Sequence, residues 1–330
     1  MKLRNFLILF NLLIFLFGCN KVNFSYGKLT FLGKIDQLKF EKYWTNSDEP
    51  YLFIWENSQI LKKSLFSNDS KFSFYGDFKP QDLFIRKKIK DGEVQLQPVL
   101  EDIKFTKDKK IAVFTMRLST SFNSTIGIAD MQMNKVLFSY PLEEHPPVMG
   151  RKFEVVAFKD VFFNPCISES GEYVACDVFN YMNIKKIRLL DINTKKYKDI
   201  SDAALPGFLK DYLYYIKIDL KNKKTFFSCM NLKTEEKKEI QELNEYILLL
   251  KNIKDGIILF GKDNIYYYIP ENKELKKIVS NGELTNTIKN SEIMRVFVEK
   301  YGENIYAFYI LKILKNNVYN WELYGTQLEI

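Results

Sequence analysis

The feature that most limits what this chain can fold into is an internal repeat of about forty residues. Asp191-Ile-Asn-Thr-Lys-Lys-Tyr-Lys-Asp-Ile200 aligns with Asn231-Leu-Lys-Thr-Glu-Glu-Lys-Lys-Glu-Ile240, and both resemble Pro270-Glu-Asn-Lys-Glu-Leu-Lys-Lys-Ile278. The closing isoleucines are 40 and 38 residues apart. An apolar run precedes each copy (Ile187–Leu190, Phe226–Met230, Ile265–Ile269), and a second run is entered before it through a tight turn. Other runs of strand length are Ile111–Met116, Tyr173–Val178, Tyr212–Ile218, Gly256–Phe260, Arg295–Val298 and Ile305–Leu311. They are rich in β-branched and aromatic residues and bounded by Asp, Asn, Lys and Gly, as strands and turns require. Phe at 28 and Tyr at 20 against Gly at 14 favours strands over a glycine-rich nucleotide-binding fold. Beyond residue 18 no long helical period appears, and little helix is expected.

A forty-residue unit of about four short strands is the signature of a propeller blade. One four-stranded sheet cannot bury both faces alone; packing blades face to face around an axis buries both, and closing the ring protects the end blades. A solenoid would leave end faces open and ranks below. The expectation is an all-β chain, a β-propeller of four-stranded antiparallel blades in one domain over residues 28–330. Seven blades fit the usual blade length, with six to eight open. Two divergent blades are expected within residues 20–100, from strand-like Tyr51–Trp55, Phe72–Tyr75 and Leu83–Lys87.

Two motifs carry a family resemblance. Asp130-Met-Gln-Met-Asn-Lys-Val-Leu-Phe138 resembles the Asp-x-x-Thr-Gly-Lys-x-x-Trp turn of quinoprotein-like propellers, and Asp191-Ile-Asn-Thr-Lys fits its first half. Ile167-Ser-Glu-Ser-Gly-Glu-Tyr-Val-Ala175 is similar to the Ser-Pro-Asp-Gly hairpin of TolB-like propellers. The resemblance covers roughly residues 100–280 and departs from the pattern where Asn134 or Lys195 replaces Gly and Phe138 replaces Trp.

The N-terminus reads as a targeting segment. Lys2 and Arg4 precede an apolar run, Phe6–Phe17, which is too short to span a bilayer of about 30 Å as a helix. It ends in Leu16-Phe17-Gly18-Cys19, which resembles the lipobox of bacterial lipoproteins. That resemblance implies a signal peptide over residues 1–18, diacylglycerol (with palmitate-type chains) on Cys19, and a lipidated tether over residues 19–27. More than one acyl chain suffices for stable membrane anchoring. Export also permits a disulfide, and Cys166 with Cys176 flank one turn, so a bridge and two separate thiols both stay open, as does the state of Cys229.

One histidine in 330 residues excludes multi-histidine metal sites, and any Ser-His-Asp or Cys-His mechanism would need His145. Phosphate-binding loops, dinucleotide fingerprints, zinc-protease motifs and calcium loops are all missing. No metal, cofactor or catalytic residue is expected. The formal charge of +8 is interspersed rather than striped, which argues against nucleic acid. One segment interrupts the repeat: Asp130 and Asp191 are 61 residues apart, and between them lies Glu143-Glu-His-Pro-Pro-Val-Met-Gly-Arg151. Long loops in compact domains are often functional. A surface insertion is the plainer reading, and Glu143, His145, Val148, Met149 and Arg151 are the candidate partner contacts.

Signal, lipobox and quinoprotein-like turns together resemble the BamB family, propeller lipoproteins of the outer-membrane β-barrel assembly machinery. Membership would imply a non-catalytic scaffold on the periplasmic face of the outer membrane, docked onto a BamA-like assembly protein. The alternative is a lipoprotein at the cell surface that binds a host ligand or saccharide. A propeller enzyme, such as a quinoprotein dehydrogenase, comes third.

Overall fold

Apolar residues in central strands of the sheets alternate between two buried faces rather than between a buried and a wet one. Ile257 and Leu259 pack to one side of their strand and Ile258 and Phe260 to the other, all fully buried. Such a sheet must be covered twice. The computed structural model describes residues 22–329 apart from 27, 40–42, 47–48, 57–58, 68–70, 79–87, 90–91, 94–97, 107–109, 119–123, 134, 141–160, 180–184, 254 and 286–287. The described residues form six four-stranded antiparallel sheets, each made of strands consecutive in sequence except the last. This is a β-propeller with six blades.

Blade 1 is Trp44–Asn46, Glu49–Glu56, Gln59–Ser64 and Ser73–Asp77; blade 2 is Pro98–Phe105, Ile111–Leu118, Ser124–Asp130 and Lys135–Tyr140. Blade 3 is Val161–Ile167, Tyr173–Phe179, Lys185–Asp191 and Lys196–Ser201; blade 4 is Ala203–Leu209, Tyr212–Asp219, Lys224–Asn231 and Lys237–Leu243. Blade 5 is Ile247–Ile253, Gly256–Gly261, Asn264–Ile269 and Glu274–Ser280. Blade 6 takes Ser291–Tyr301, Asn304–Lys315 and Val318–Leu328 from the C-terminal end and Thr30–Lys34 from the N-terminal end. The first strand of each blade touches the first strands of both neighbours, blade 6 touching blade 1, so these six strands line the axis.

Six apolar clusters fill the six gaps between blades. Phe53 meets Phe114 between blades 1 and 2, Val113 meets Val174 between 2 and 3, and Ile187 meets Leu213 between 3 and 4. Phe227 meets Leu259 between 4 and 5, Phe260 meets Tyr309 between 5 and 6, and Leu52 meets Phe308 across the closure. No gap is left open.

Six is the low end of the expected range, and the difference lies in residues 20–100. They hold one complete blade, not two: Thr30–Lys34 leaves to complete blade 6, and Lys88–Ile89 with Gly92–Glu93 forms only a two-stranded hairpin. The expected strand Leu83–Lys87 lies outside the described residues, as do the signal segment 1–18 and Cys19. The helix among the described residues is the short Asn281–Thr285.

The repeat turns are equivalent in three dimensions. Asp191 Oδ1 accepts the N–H groups of Asn193 and Thr194 at 2.9 and 3.0 Å; Asn231 Oδ1 accepts those of Lys233 and Thr234 at the same distances. Asp130 Oδ1 does likewise with Gln132 and Met133. Lys195, Glu235 and Lys273 then take left-handed φ values of 57°, 61° and 54°, the place that glycine fills in the family motif.

The candidate bridge between Cys166 and Cys176 is corrected by the register. Cys166 pairs with Ala175, so Cys176 points to the other side of the sheet, and all three described cysteines are free thiols. Cys176 packs between blades 2 and 3, whereas Cys166 packs toward blade 4.

Candidate functional site

Antiparallel order within each blade places the links from first to second and third to fourth strand at one end of the ring. The links from second to third strand, and from one blade to the next, fall at the other. The first end carries tight turns. At the second lie the strand ends from which the chain passes between blades: Lys34 and Trp44, Asp77 and Pro98, Tyr140 and Val161, and Ser280 and Ser291. We call these the turn face and the connection face. Glu143, His145, Val148, Met149 and Arg151 lie outside the described residues.

The axial channel is the candidate site. Its volume is about 600 Å³, and every blade contributes lining residues. Its mouth is shaped by a bulge or register break in each of the six inner strands: at Thr45/Asn46, Leu100/Asp102, Phe163/Cys166, Ala204/Gly207, Ile247/Leu249 and Ile293/Arg295. Inner strands converge on the axis and twist strongly, and a bulge adds local twist while re-aiming a side chain. Phe163 and Leu248, both 41% exposed, are turned into the mouth in this way.

Two bulges contain proline, Asn164-Pro165 and Leu205-Pro206, and proline needs no ladder hydrogen bond. Asn164 and Leu205 adopt φ of 46° and 59°, which for a leucine costs about 1–3 kcal/mol. Asp177 holds both. Its Oδ2 accepts Asn164 Nδ2–H at 2.6 Å, and its Oδ1 accepts the Leu205 N–H at 2.7 Å, tying blade 3 to blade 4. Burial pushes the Asp177 carboxyl up to about 7, outweighing those hydrogen bonds and the nearby Lys185.

Deeper in the channel is a belt of charged and hydroxyl side chains. Glu299 is almost fully buried; its Oε1 accepts the Thr45 hydroxyl at 2.6 Å and Lys251 Nζ at 2.8 Å. Lys104 Nζ stands 3.4 Å from Asp102 Oδ1, which also accepts the Ile103 N–H at 2.9 Å. Arg295 lies over the Phe297 ring. Burial lowers the Lys104 pKa, Asp102 and Glu299 oppose that, and the charges of Lys251 and Arg295 lower it further. Cys166 also lines the channel, but burial and then Asp177 push its thiol up, so no thiolate is available there. The belt can hold a polar or charged group; it presents no activated nucleophile.

None of the belt residues was singled out from sequence. The available signal was Pro165 and Pro206, each inside an otherwise strand-like stretch, which marks a bulge.

No family model matches the sequence, and no curated protein matches it in sequence. Solved structures are similar in fold. An oligogalacturonate lyase in complex with manganese superposes with a TM-score of 0.51 at 9% identity, covering 87% of this chain and 76% of the lyase. A TolB protein from Agrobacterium tumefaciens gives 0.46 at 8% identity, covering 73% of this chain and 81% of its own. The β-propeller domain of the trilobed protease from Pyrococcus furiosus gives 0.38 at 14% identity over 52% of this chain, which spans 57% of that domain's length. The likeness to the lyase shows the propeller fold alone. It also corrects the expectation that the chain is not an enzyme: a lyase has a similar fold, so the fold gives no ground for excluding catalysis.

Proposed function

We propose that this chain is an exported lipoprotein whose propeller docks a protein partner through its connection face, as an accessory of outer-membrane β-barrel assembly. The observation that carries the reading is the asymmetry of the ring. Long links leave from the connection face, which carries exposed Phe179, Leu220, Tyr246 and Val318, while the described N-terminal residues sit at the turn face, which carries exposed Tyr26, Met133 and Tyr197. There the Val22 N–H donates to Phe66 O at 3.1 Å, and the Phe24 ring packs edge-on against Phe66 and Tyr306. Three residues span about 10 Å at most, so a lipid on Cys19 would hold the turn face against the membrane and turn the connection face toward a partner. A rigid ring loses little entropy on docking, and exposed aromatic side chains are the usual anchors of protein contacts.

The test is in cells. Cys19→Ala should abolish palmitate labelling and leave unprocessed precursor. A photo-crosslinking residue at Tyr246 should capture a BamA-like assembly protein, whereas one at Met133, exposed on the turn face, should not. Equal capture at both positions would remove the facial assignment. Protease shaving from intact cells, with no assembly component captured, would replace this reading by surface ligand binding.

A further inference from the structure

One carboxyl group holds two walls of the channel mouth. Asn164-Pro165 on the first strand of blade 3 and Leu205-Pro206 on the first strand of blade 4 both line the channel. The register break between Ala204 and Gly207 takes Leu205 out of the ladder with the second strand of its own blade, and its left-handed φ is costly for a leucine. Its N–H goes instead to Asp177 Oδ1, across the gap between blades, while Asp177 Oδ2 takes the Asn164 side-chain N–H.

Both groups that Asp177 meets here are donors, so the ionised carboxylate satisfies both at once. A proton on the carboxyl changes the two contacts differently. Asn164 can turn its amide and meet the proton with its oxygen. The Leu205 N–H has no such freedom and is left with a neutral acceptor. Hydrogen bonds to an ionised acceptor are roughly twice as strong as those to a neutral one, so the strained bulge loses much of what holds it.

From this geometry we infer that Asp177 is a pH-sensitive clasp on the channel mouth: ionised, it ties the Leu205-Pro206 bulge to blade 3, and protonated, it lets that bulge loosen. Burial brings the change close to neutral pH by pushing the carboxyl up to about 7. Two ionisable groups face Asp177 from the elements packed against it. Lys185, on the third strand of blade 3, favours the ionised form, and its ammonium lies 5.7 Å from the centre of the Tyr246 ring. Cys166, on the first strand, stays a neutral thiol because burial and Asp177 push it up. The first strand of blade 4, Ala203–Leu209, carries no ionisable side chain. The clasp depends on contacts within the ring and not on the partner proposed above.

The experiment is amide hydrogen exchange of the folded chain, read residue by residue by NMR from about pH 8 down to about pH 5 and corrected for the intrinsic rate at each pH. The Leu205 amide should lose protection by at least roughly five-fold on acidification, with a midpoint at the folded Asp177 value. The Leu232 amide, which donates to Asp211 O at 2.9 Å elsewhere in blade 4, should not follow it. A carboxyl with a raised folded pKa makes the whole fold more stable as pH falls, so a loss at Leu205 reads local opening and not global unfolding. Asp177→Asn presents a neutral oxygen to Leu205 at every pH and should show the low protection throughout. Lys185→Met removes a charge that favours the ionised form and should move the midpoint to higher pH. Leu205 protection that is the same at both ends of the range would overturn the inference, as would a loss shared by Leu232. So would an Asp177→Asn protein that keeps the pH-dependent step, or a midpoint that Lys185→Met leaves in place.

Discussion

Ring closure rests on one five-residue strand, and Leu32 is its anchor. Thr30–Lys34 pairs with Val318–Leu328 across nearly the whole sequence, with a bulge between Phe31 and Gly33. At the bulge the Leu32 carbonyl accepts the buried Lys63 ammonium of blade 1 at 2.9 Å. The Leu32 side chain is fully buried among Phe308, Ile310 and Leu323, whereas neighbouring Phe31 is 45% exposed. Leu32→Ala removes a buried isobutyl group from a gap walled by sheet residues that cannot collapse inward. A loss of about 3–4 kcal/mol is expected, within the range of about 2–5 for such truncations. Domains are commonly stable by about 5–15 kcal/mol, so this is a large fraction of the total. Phe31→Ala loses only half-exposed area and an edge contact with Tyr324, so it should cost about 1 kcal/mol or less. Urea unfolding of both variants reads the difference, provided the urea slope is unchanged. Equal costs, or a Leu32→Ala cost under about 1 kcal/mol, would mean that the N-terminal strand does not clasp the ring.

Two further outcomes follow from charged groups within blade 3. Asp177 keeps its proton up to about pH 7 when folded but releases it near the ordinary carboxylate value when unfolded, so the folded state binds more protons between these values. Stability should therefore fall as pH rises from about 4 to 7, and Asp177→Asn should flatten that slope; an unchanged melting-temperature profile would refute it. Arg188, almost buried, grips Asp199 through Nε at 2.7 Å and Nη2 at 2.9 Å and stacks over Tyr197. Burial works to raise the Asp199 pKa, but Arg188 and Lys186 hold it below its ordinary value. Arg188→Met should cost about 2 kcal/mol at neutral pH. That cost should shrink as pH falls through the folded Asp199 pKa, where the parent loses the pair too; denaturation at neutral and acid pH checks it.

What sequence reasoning could see was set by how local each interaction is. The turns at Asp130, Asp191 and Asn231 were readable because a short side chain binds amides two and three residues on, whatever the rest of the chain does. Loss of the motif glycines did not hide them, since Lys195 and Glu235 accept the left-handed conformation. The blade number was not readable, because the partner of Thr30–Lys34 is set by closure of the whole ring. The channel was hidden for a different reason. Inner strands mix apolar and charged residues, and each bulge resets which residues point at the axis, so period-two counting fails where Asp102, Lys104 and Glu299 sit.

The two ends of the ring follow different physical rules. On the turn face most links are two to five residues long, those after Asp130, Asp191 and Asn231 have amides satisfied by the Asp or Asn side chain, and ion pairs such as Lys198–Glu235 and Lys210–Glu271 join adjacent blades. Those exposed pairs contribute little individually, but the short links leave that face little freedom to change. On the connection face a link is not obliged to be short, because the strands it joins belong to different blades already fixed by the clusters between them. Insertions there cost only a slowly growing loop entropy. The bulges open the channel toward Phe163 and Leu248, and the strained Leu205 is held by Asp177 from the preceding blade. Long links and the open mouth of the channel thus fall at the same end of the ring, which is why recognition is assigned to that face rather than to the repeat that builds the ring.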